Sequence, residues 1–329
     1  MIKPLVKSVW QTLAGTVGWY KVTRGDKKLI VLMYHRVLPT TDPRYQFEEP
    51  GMVVSDTTFA MHMQVLSEEN INVMTVSQWS ALPAEQRPQL TVAITFDDGW
   101  LDNYEYAFPV LKRYNFASTL YVVSDFMDMP APFWPNKVLR LLLTPGLQQT
   151  EAWQPLLALT GALPPLPLTR DQGAAVIDHL KQHGDDTIYA ALAPLSDVLA
   201  SHTQTEMINQ QQLHDALTNY GVELGCHTRR HYRLVEGLPE TLLQEEIVQS
   251  KQLLEAANNR RVASFCFPNG DFSPAAHKLV SEHYDCAVTT KRGINTAANL
   301  QTSKLLRIGV HNDISNTPMK FRAKLSGAR

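Results

Sequence analysis

The sequence predicts an α/β fold in which a mainly parallel sheet is covered by helices. Short apolar runs recur along the chain, helical patterns lie between many of them, and 329 residues with 44% hydrophobic content suffice for a substantial core.

The runs that read as buried strands are LIVLMY at 29–34, TVAITF at 91–96, STLYVV at 118–123, VELGC at 222–226, ASFCF at 263–267 and CAVTT at 286–290. The clearest helices span 57–69, 103–115, 239–257 and 274–283, each opening near a Ser, Thr, Asn, Asp or Pro start signal. In a fold of this kind chemistry assembles where strands end and loops begin. The alternation breaks between 128 and 215, where a Pro-rich stretch leads into helical AAVIDHLKQHG and MINQQQLHDALTNYG. We read 1–329 as a single catalytic domain and 128–215 as a helical insertion within it, because the strand pattern resumes afterwards. Lid, substrate collar and partner surface are open roles for the insertion.

Charge and cysteines narrow the function classes. A net charge of -2 offers no broad field for polyanions, so nucleic acid is not an expected partner. Cys226, Cys266 and Cys286 are odd in number and scattered, which fits reduced thiols rather than a disulfide scaffold. The amino terminus lacks an uninterrupted apolar signal core, so the expected location is cytoplasmic. Within residues 1–21, Leu5, Val9, Leu13, Val17 and Tyr20 fall at helical spacing beside Lys3, Lys7 and Lys21. That pattern suits a helix packed on the domain or peripheral contact with the inner face of the membrane.

The residues that can carry chemistry cluster at predicted strand ends. TFDDG at 95–99 closes a strand with two carboxylates and a glycine; a turning backbone lets both address one pocket, although Asp-Gly alone is also an ordinary turn signal. Asp98 could bind a metal while Asp97 takes a proton from water. GCHTRRH at 225–231 places His227 and His231 four apart after a strand, the spacing that shares a face on a helical turn. His179 and His183 have the same separation but read as a polar helix face. One carboxylate and two imidazoles leave coordination positions open, and the set fits zinc or Fe(II). SFCFPNGDFSP at 264–274 ends a strand in a turn whose backbone N–H groups could face an oxyanion, and LLRIGVHNDIS at 305–315 offers His311, which could protonate a leaving amine. His35, ending the first strand, could line the same pocket.

Taken in chain order, MYHRV, TFDDG, HTRRH, FPNGDFS and LRIGVHND resemble the polysaccharide deacetylases, the NodB-homology group of carbohydrate esterase family 4. The resemblance implies a distorted (β/α) barrel with fewer strands than the eightfold form, a divalent metal, and hydrolysis of N-acetyl groups on sugars. Zinc is the first expectation for the metal, with iron, cobalt, nickel and manganese as alternatives. By motif, Asp97 matches the catalytic base, Asp98, His227 and His231 the metal ligands, and His311 the catalytic acid. His35, Pro268, Asn269, Gly270 and Arg307 are the candidate substrate-binding residues.

One departure stands out. Many members carry an arginine in the segment matching 265–270, where it orients the base, whereas this chain has Cys266; Arg307 or Arg292 is then expected to take over. The expected substrate is an acetylated sugar of a cell-surface polysaccharide or of its lipid- or nucleotide-linked precursor. A cyclic amide or imide hydrolase on the same scaffold and a catalytically silent carbohydrate-binding protein are the rivals. An Fe(II) oxygenase is disfavoured by the second acid beside the ligand and by the strand–helix alternation.

Overall fold

The computed structural model describes residues 14–129, 133–200 and 205–327. Its centre is a closed barrel of seven parallel strands: β1 (Lys28–Tyr34), β2 (Leu90–Phe96), β3 (Ser118–Val122), β4 (Val222–Cys226), β5 (Ser264–Cys266), β6 (Cys286–Arg292) and β7 (Leu305–Gly309). β1 pairs along its whole length with β2, from Lys28↔Leu90 to Tyr34↔Phe96, and on its other edge with β7, through Leu32↔Ile308, which closes the ring. Two short strands extend the sheet outside the ring: Asn72–Val73 lies parallel to β2, and Asn295–Thr296 antiparallel to β1.

The barrel is distorted for visible reasons. β5 has three residues and meets β4 through the single register pair Cys226↔Phe265, while β7 shifts register against β6 between Leu305 and Arg307. The first six strands fall within two residues of the apolar runs that announce them. The seventh, LLRIG, carries an arginine at its centre and reads less clearly as a strand.

Alternation along each strand sorts its residues into two buried layers. Leu29 and Val31 of β1, Ala93 of β2, Tyr121 of β3, Cys266 of β5 and Leu305 of β7 share one apolar cluster, while Ile30, Leu32, Val92, Ile94, Leu120 and Leu224 share a larger one with the surrounding helices. The smaller cluster fills the barrel interior. Gly225 belongs to the inward register of β4, and a Cβ there would stand 2.3 Å from the Tyr121 ring, so the missing side chain makes room for that ring. Continuing the inward register one step past the strands reaches His35 after β1, Asp97 after β2 and His227 after β4. Asp97 N–H donates to the Tyr34 carbonyl at 3.0 Å and His227 N–H to the Val122 carbonyl at 2.9 Å. The barrel ladder thus fixes both residues where they leave it.

The insertion packs around a core of its own. Helices Trp134–Leu143, Gln154–Thr160, Arg170–Leu180, Asp185–Leu192 and Ser196–Ala200 bury Leu139, Leu156, Ile177, Ile188 and Leu199 against one another. The expected end of the insertion at 215 falls within a helix. Helix Gln210–Asn219 contributes Leu213, Ala216 and Leu217 to the barrel's outer cluster and is one of the barrel's covering helices.

A buried charge cluster bolts the insertion to the barrel. Arg36, just past β1, donates from Nε to Asp102 at 2.9 Å and from Nη1 to Glu48 at 3.0 Å and Glu206 at 2.6 Å. Arg140 and Asn136, both on helix Trp134–Leu143, reach Glu206 and Glu48 respectively. All these side chains are buried. Breaking a buried pair leaves an uncompensated charge, so the attachment resists opening. It suits a fixed collar better than a swinging lid.

Of the amino-terminal amphipathic stripe, Leu5, Val9 and Leu13 lie outside the described residues. Val17 and Tyr20 are exposed, whereas Trp19 and Val22 join the barrel's outer cluster. No helix among the described residues is long and apolar enough to cross a membrane.

Candidate active site

A cavity of about 580 Å3 opens at the carboxyl ends of the barrel strands. His35, Asp97, Asp98, His227, His231 and Asn269 are among its lining residues, so six of the positions singled out in the sequence come together there.

Asp98 (φ 76°) and Gly99 (φ 87°) turn the chain sharply after β2. A left-handed backbone is costly for a side-chain-bearing residue, and such positions concentrate at functional sites. The turn brings the two neighbouring carboxylates into one cavity despite the alternation of the strand. Trp100 Nε1–H donates to Asp98 Oδ2 at 2.9 Å, which leaves Oδ1 facing the imidazoles: it lies 3.3 Å from His227 Nε2 and 3.5 Å from His231 Nε2. Trp100 follows the glycine of the motif directly, yet its indole role is invisible in the sequence.

The two histidines meet by a route other than the expected helical turn. Residues 227–231 form a loop in which Thr228 (φ 66°) and His231 (φ 62°) are left-handed, and the His231 N–H donates to Thr228 Oγ1 at 2.9 Å. The imidazole centroids come to 4.8 Å. His227 Nδ1 bonds to the Cys266 carbonyl at 2.8 Å, which turns Nε2 toward the cavity. Burial, with the neighbouring imidazole, pushes His231 down to about 4, so its ring is a neutral lone-pair donor at physiological pH. One ligand atom from each of Asp98, His227 and His231 can lie within 4.8 Å of the others. A carboxylate flanked by two imidazoles whose Nε2 atoms converge on it is a donor set that fits a divalent cation.

Asp97 has a different environment. Arg307 from β7 forks onto it, Nη1 to Oδ1 at 2.7 Å and Nη2 to Oδ2 at 2.8 Å, with both side chains buried. Burial raises the Asp97 carboxyl, but the guanidinium outweighs it and the net position is below the usual carboxylate range. Arg307 Nη2 also lies 3.2 Å from the Cys266 sulfur, so the small cysteine leaves the space that the guanidinium occupies. An arginine thus reaches Asp97 from β7, the second strand along from β5. Arg292 does not take that place; its Nη2 bonds the Gly327 carbonyl at 3.4 Å. Arg307 was expected to contact substrate, yet its side chain has no exposure and does not line the cavity. Cys266 itself is a free buried thiol, raised by burial and unsuited to nucleophilic work.

The remaining candidates divide. His35 Nε2 stands 3.7 Å from Asp97 Oδ2 inside the cavity. His311 is not among the described residues that line it; its ring lies at the start of helix Asn312–Ser315, and burial lowers its pKa. Asn269 (φ 53°) faces the cavity, but Pro268 is buried and Gly270 packs on Thr290, where a Cβ would come within 2.1 Å of Oγ1. His179 bonds the Leu159 carbonyl on the insertion and belongs to no metal-holding group among the described residues.

The sequence did not indicate how much of the wall the insertion supplies. Phe133, Trp134, Asn136, Lys181, Asp185 and Tyr189 all line the cavity, and Phe133 packs on His231 with ring centroids 4.9 Å apart.

A family model described as polysaccharide deacetylase matches residues 84–149 and 167–284, more than half of the chain. The chain belongs to the polysaccharide deacetylase family. YxkH of Bacillus subtilis, a protein named for the same family, is 34% identical over 110 residues, 33% of this deacetylase-family chain and 36% of that protein. The match thus spans about a third of the curated relative's length. Among solved structures, the Streptococcus pyogenes deacetylase PplD, in complex with acetate, superposes with a TM-score of 0.59 at 19% identity, covering 89% of this chain and 96% of that one. IcaB from Ammonifex degensii gives 0.58 at 18% identity, covering 92% and 98%. At such identities the likeness concerns the fold, the (β/α) barrel seen here.

Proposed function

We propose that the chain is a metal-dependent hydrolase that removes N-acetyl groups from amino sugars of a cell-surface polysaccharide or its lipid- or nucleotide-linked precursor. The observation that carries this reading is the split of two adjacent carboxylates into different environments: Asp98 joins two imidazoles, and Asp97 is held ionised by Arg307. Asp98, His227 and His231 would hold the metal, zinc first by donor type. A bound divalent cation lowers the pKa of water and polarises an acyl carbonyl.

The chain's own groups then have distinct tasks. Asp97 accepts a proton from the water as its oxygen attacks the acetyl carbon. Arg307 keeps that carboxylate charged and aimed into the cavity. The turn at Asn269 faces the cavity, and the Gly270 N–H is committed to the Phe267 carbonyl, so Asn269 is the member of the turn positioned toward a developing oxyanion. As the carbon–nitrogen bond breaks, the nitrogen takes a proton and acetate and a free amine leave. His35, in the cavity beside Asp97, is better placed to deliver that proton than His311. Arg307 also answers the departure at Cys266 on which the silent reading rested.

The test is incubation of metal-loaded protein with a panel of acetylated sugars, free and lipid-linked, followed by mass measurement for loss of acetyl. The wild type should release acetate from at least one, and His227→Ala should lose metal and activity together. Ring opening of cyclic amides without acetate release would replace this reading with its rival. Comparison of single variants addresses the proton donor: His35→Ala should lower kcat by about 100-fold or more, and His311→Ala much less. The reverse order would return the role to His311.

A further inference from the structure

Glu246 lies far from the sequence motifs, on the covering helix between β4 and β5, yet its carboxylate is wholly buried against the histidine loop. Its Oε2 accepts from the backbone N–H of Arg229 at 3.0 Å and of Arg230 at 2.8 Å, and its Oε1 accepts from Arg230 Nε at 2.8 Å. The carbonyl side of the loop is secured separately: Ser124 N–H donates to the Thr228 carbonyl at 3.2 Å and Asp125 N–H to the Arg229 carbonyl at 3.0 Å. Arg229 adds an ion pair to Asp125 at 2.9 Å. The helix is wound as a π-turn over Gln244–Gln249, the stretch that contains Glu246, and such turns recur where a helix presents a side chain for function.

We propose that Glu246 is a positioning residue for the two imidazoles. Thr228 and His231 both hold left-handed backbone conformations, and Thr228 is β-branched, so the loop would relax if nothing held it. Between them stand Arg229 and Arg230, whose N–H groups both end on one carboxylate. A single acceptor for two successive donors fixes the orientation of both peptide planes, and with them the directions in which the side chains at 227 and 231 project. Arg230 completes the arrangement with a second acid, Glu245, at 2.6 Å, but that contact involves only side chains.

The proposal rests on the metal-site reading above, and its test separates the two. Cobalt and zinc affinity would be measured by competition titration, with the cobalt absorption spectrum recorded as a report on ligand geometry. Amide hydrogen exchange over 227–231 would be followed in the metal-free protein. Glu246→Ala should bind cobalt about 10- to 100-fold more weakly, the usual effect of losing a group that orients a metal ligand, with an altered spectrum and faster exchange in the loop. Glu246→Gln, which keeps an oxygen for the backbone donors, should recover most of the affinity. Arg230→Ala leaves both backbone bonds intact and should bind near the wild-type level.

A Glu246→Ala protein with wild-type affinity, spectrum and exchange would overturn the proposal. So would an Arg230→Ala protein as impaired as Glu246→Ala, because the acid would then act only as an ion-pair partner. If the alanine variant fails to fold, the glutamine and Arg230 variants still decide between these outcomes. A wild type that takes up no metal would remove the metal reading, while loop exchange would still report whether Glu246 holds the backbone.

Discussion

Replacing Asp97 by Asn is expected to lower turnover by about 100- to 10,000-fold, the range that a positioned proton acceptor contributes, while metal uptake stays intact. The side chain keeps its size and can still accept one hydrogen bond from Arg307, but it can no longer take a proton. The proposed ligand set Asp98, His227 and His231 is untouched, so metal content should match the wild type. Arg307 would lose its counter-charge while keeping the Thr289 carbonyl at 2.8 Å and Thr95 Oγ1 at 3.2 Å, so thermal stability should be recorded beside the kinetics. Full activity in a folded Asp97→Asn protein would remove the base assignment.

The second large effect should follow from Arg307→Met. Cutting one partner from a buried ion pair costs about 3–5 kcal/mol, because the remaining charge is left in a dry site. In the wild type the Asp97 carboxyl lies below its ordinary range, so its pairing contributes stability that is present above the unfolded carboxylate pKa and lost as pH falls through the lower folded value. Without the guanidinium, burial is opposed only by the smaller pulls of His35 and His227, and the folded pKa is expected to move above the unfolded one. The sign then reverses, and the deficit of the variant should widen as pH rises from about 4 toward neutrality. Denaturant unfolding of metal-free protein at several pH values measures this; a deficit independent of pH would show that Arg307 acts by packing alone. The double variant Cys266→Arg with Arg307→Met carries the arginine on β5 instead of β7. It should recover part of the lost stability and activity, since the cysteine sulfur lies 3.2 Å from the present guanidinium. A double variant no better than Arg307→Met would show that the charge must enter from β7.

The barrel and the centre of the site were legible for one reason. Strands buried on both faces read as unbroken apolar runs, and the residues at their carboxyl ends stand where an α/β fold places chemistry. Asp97, Asp98 and His227 follow such runs directly. His231 was found by spacing, although the helical turn invoked to join it to His227 is a loop held by two left-handed residues. The less legible features depend on partners distant in sequence. Arg307 stands alone as a charge within LLRIG, a signal that it needs a buried counter-charge, but nothing local names Asp97 as that partner. Glu246 looks like one of several acids on a helix, and only the π-turn and the folded loop give it a task. His311 has the motif but does not line the cavity among the described residues, while His35, which offered only a strand end, does.

Because the collar folds around its own apolar centre and contributes part of the cavity wall, the proposed function would divide glycan preference and bond-breaking chemistry between different stretches of the chain. On that proposal, exchange or reshaping of residues 133–200 should retune which sugars are admitted while Asp97, Asp98, His227 and His231 remain as they are. The buried anchoring through Arg36, Glu48, Arg140 and Glu206 sets the condition for such exchange: a replacement collar must bring matching charges to that socket.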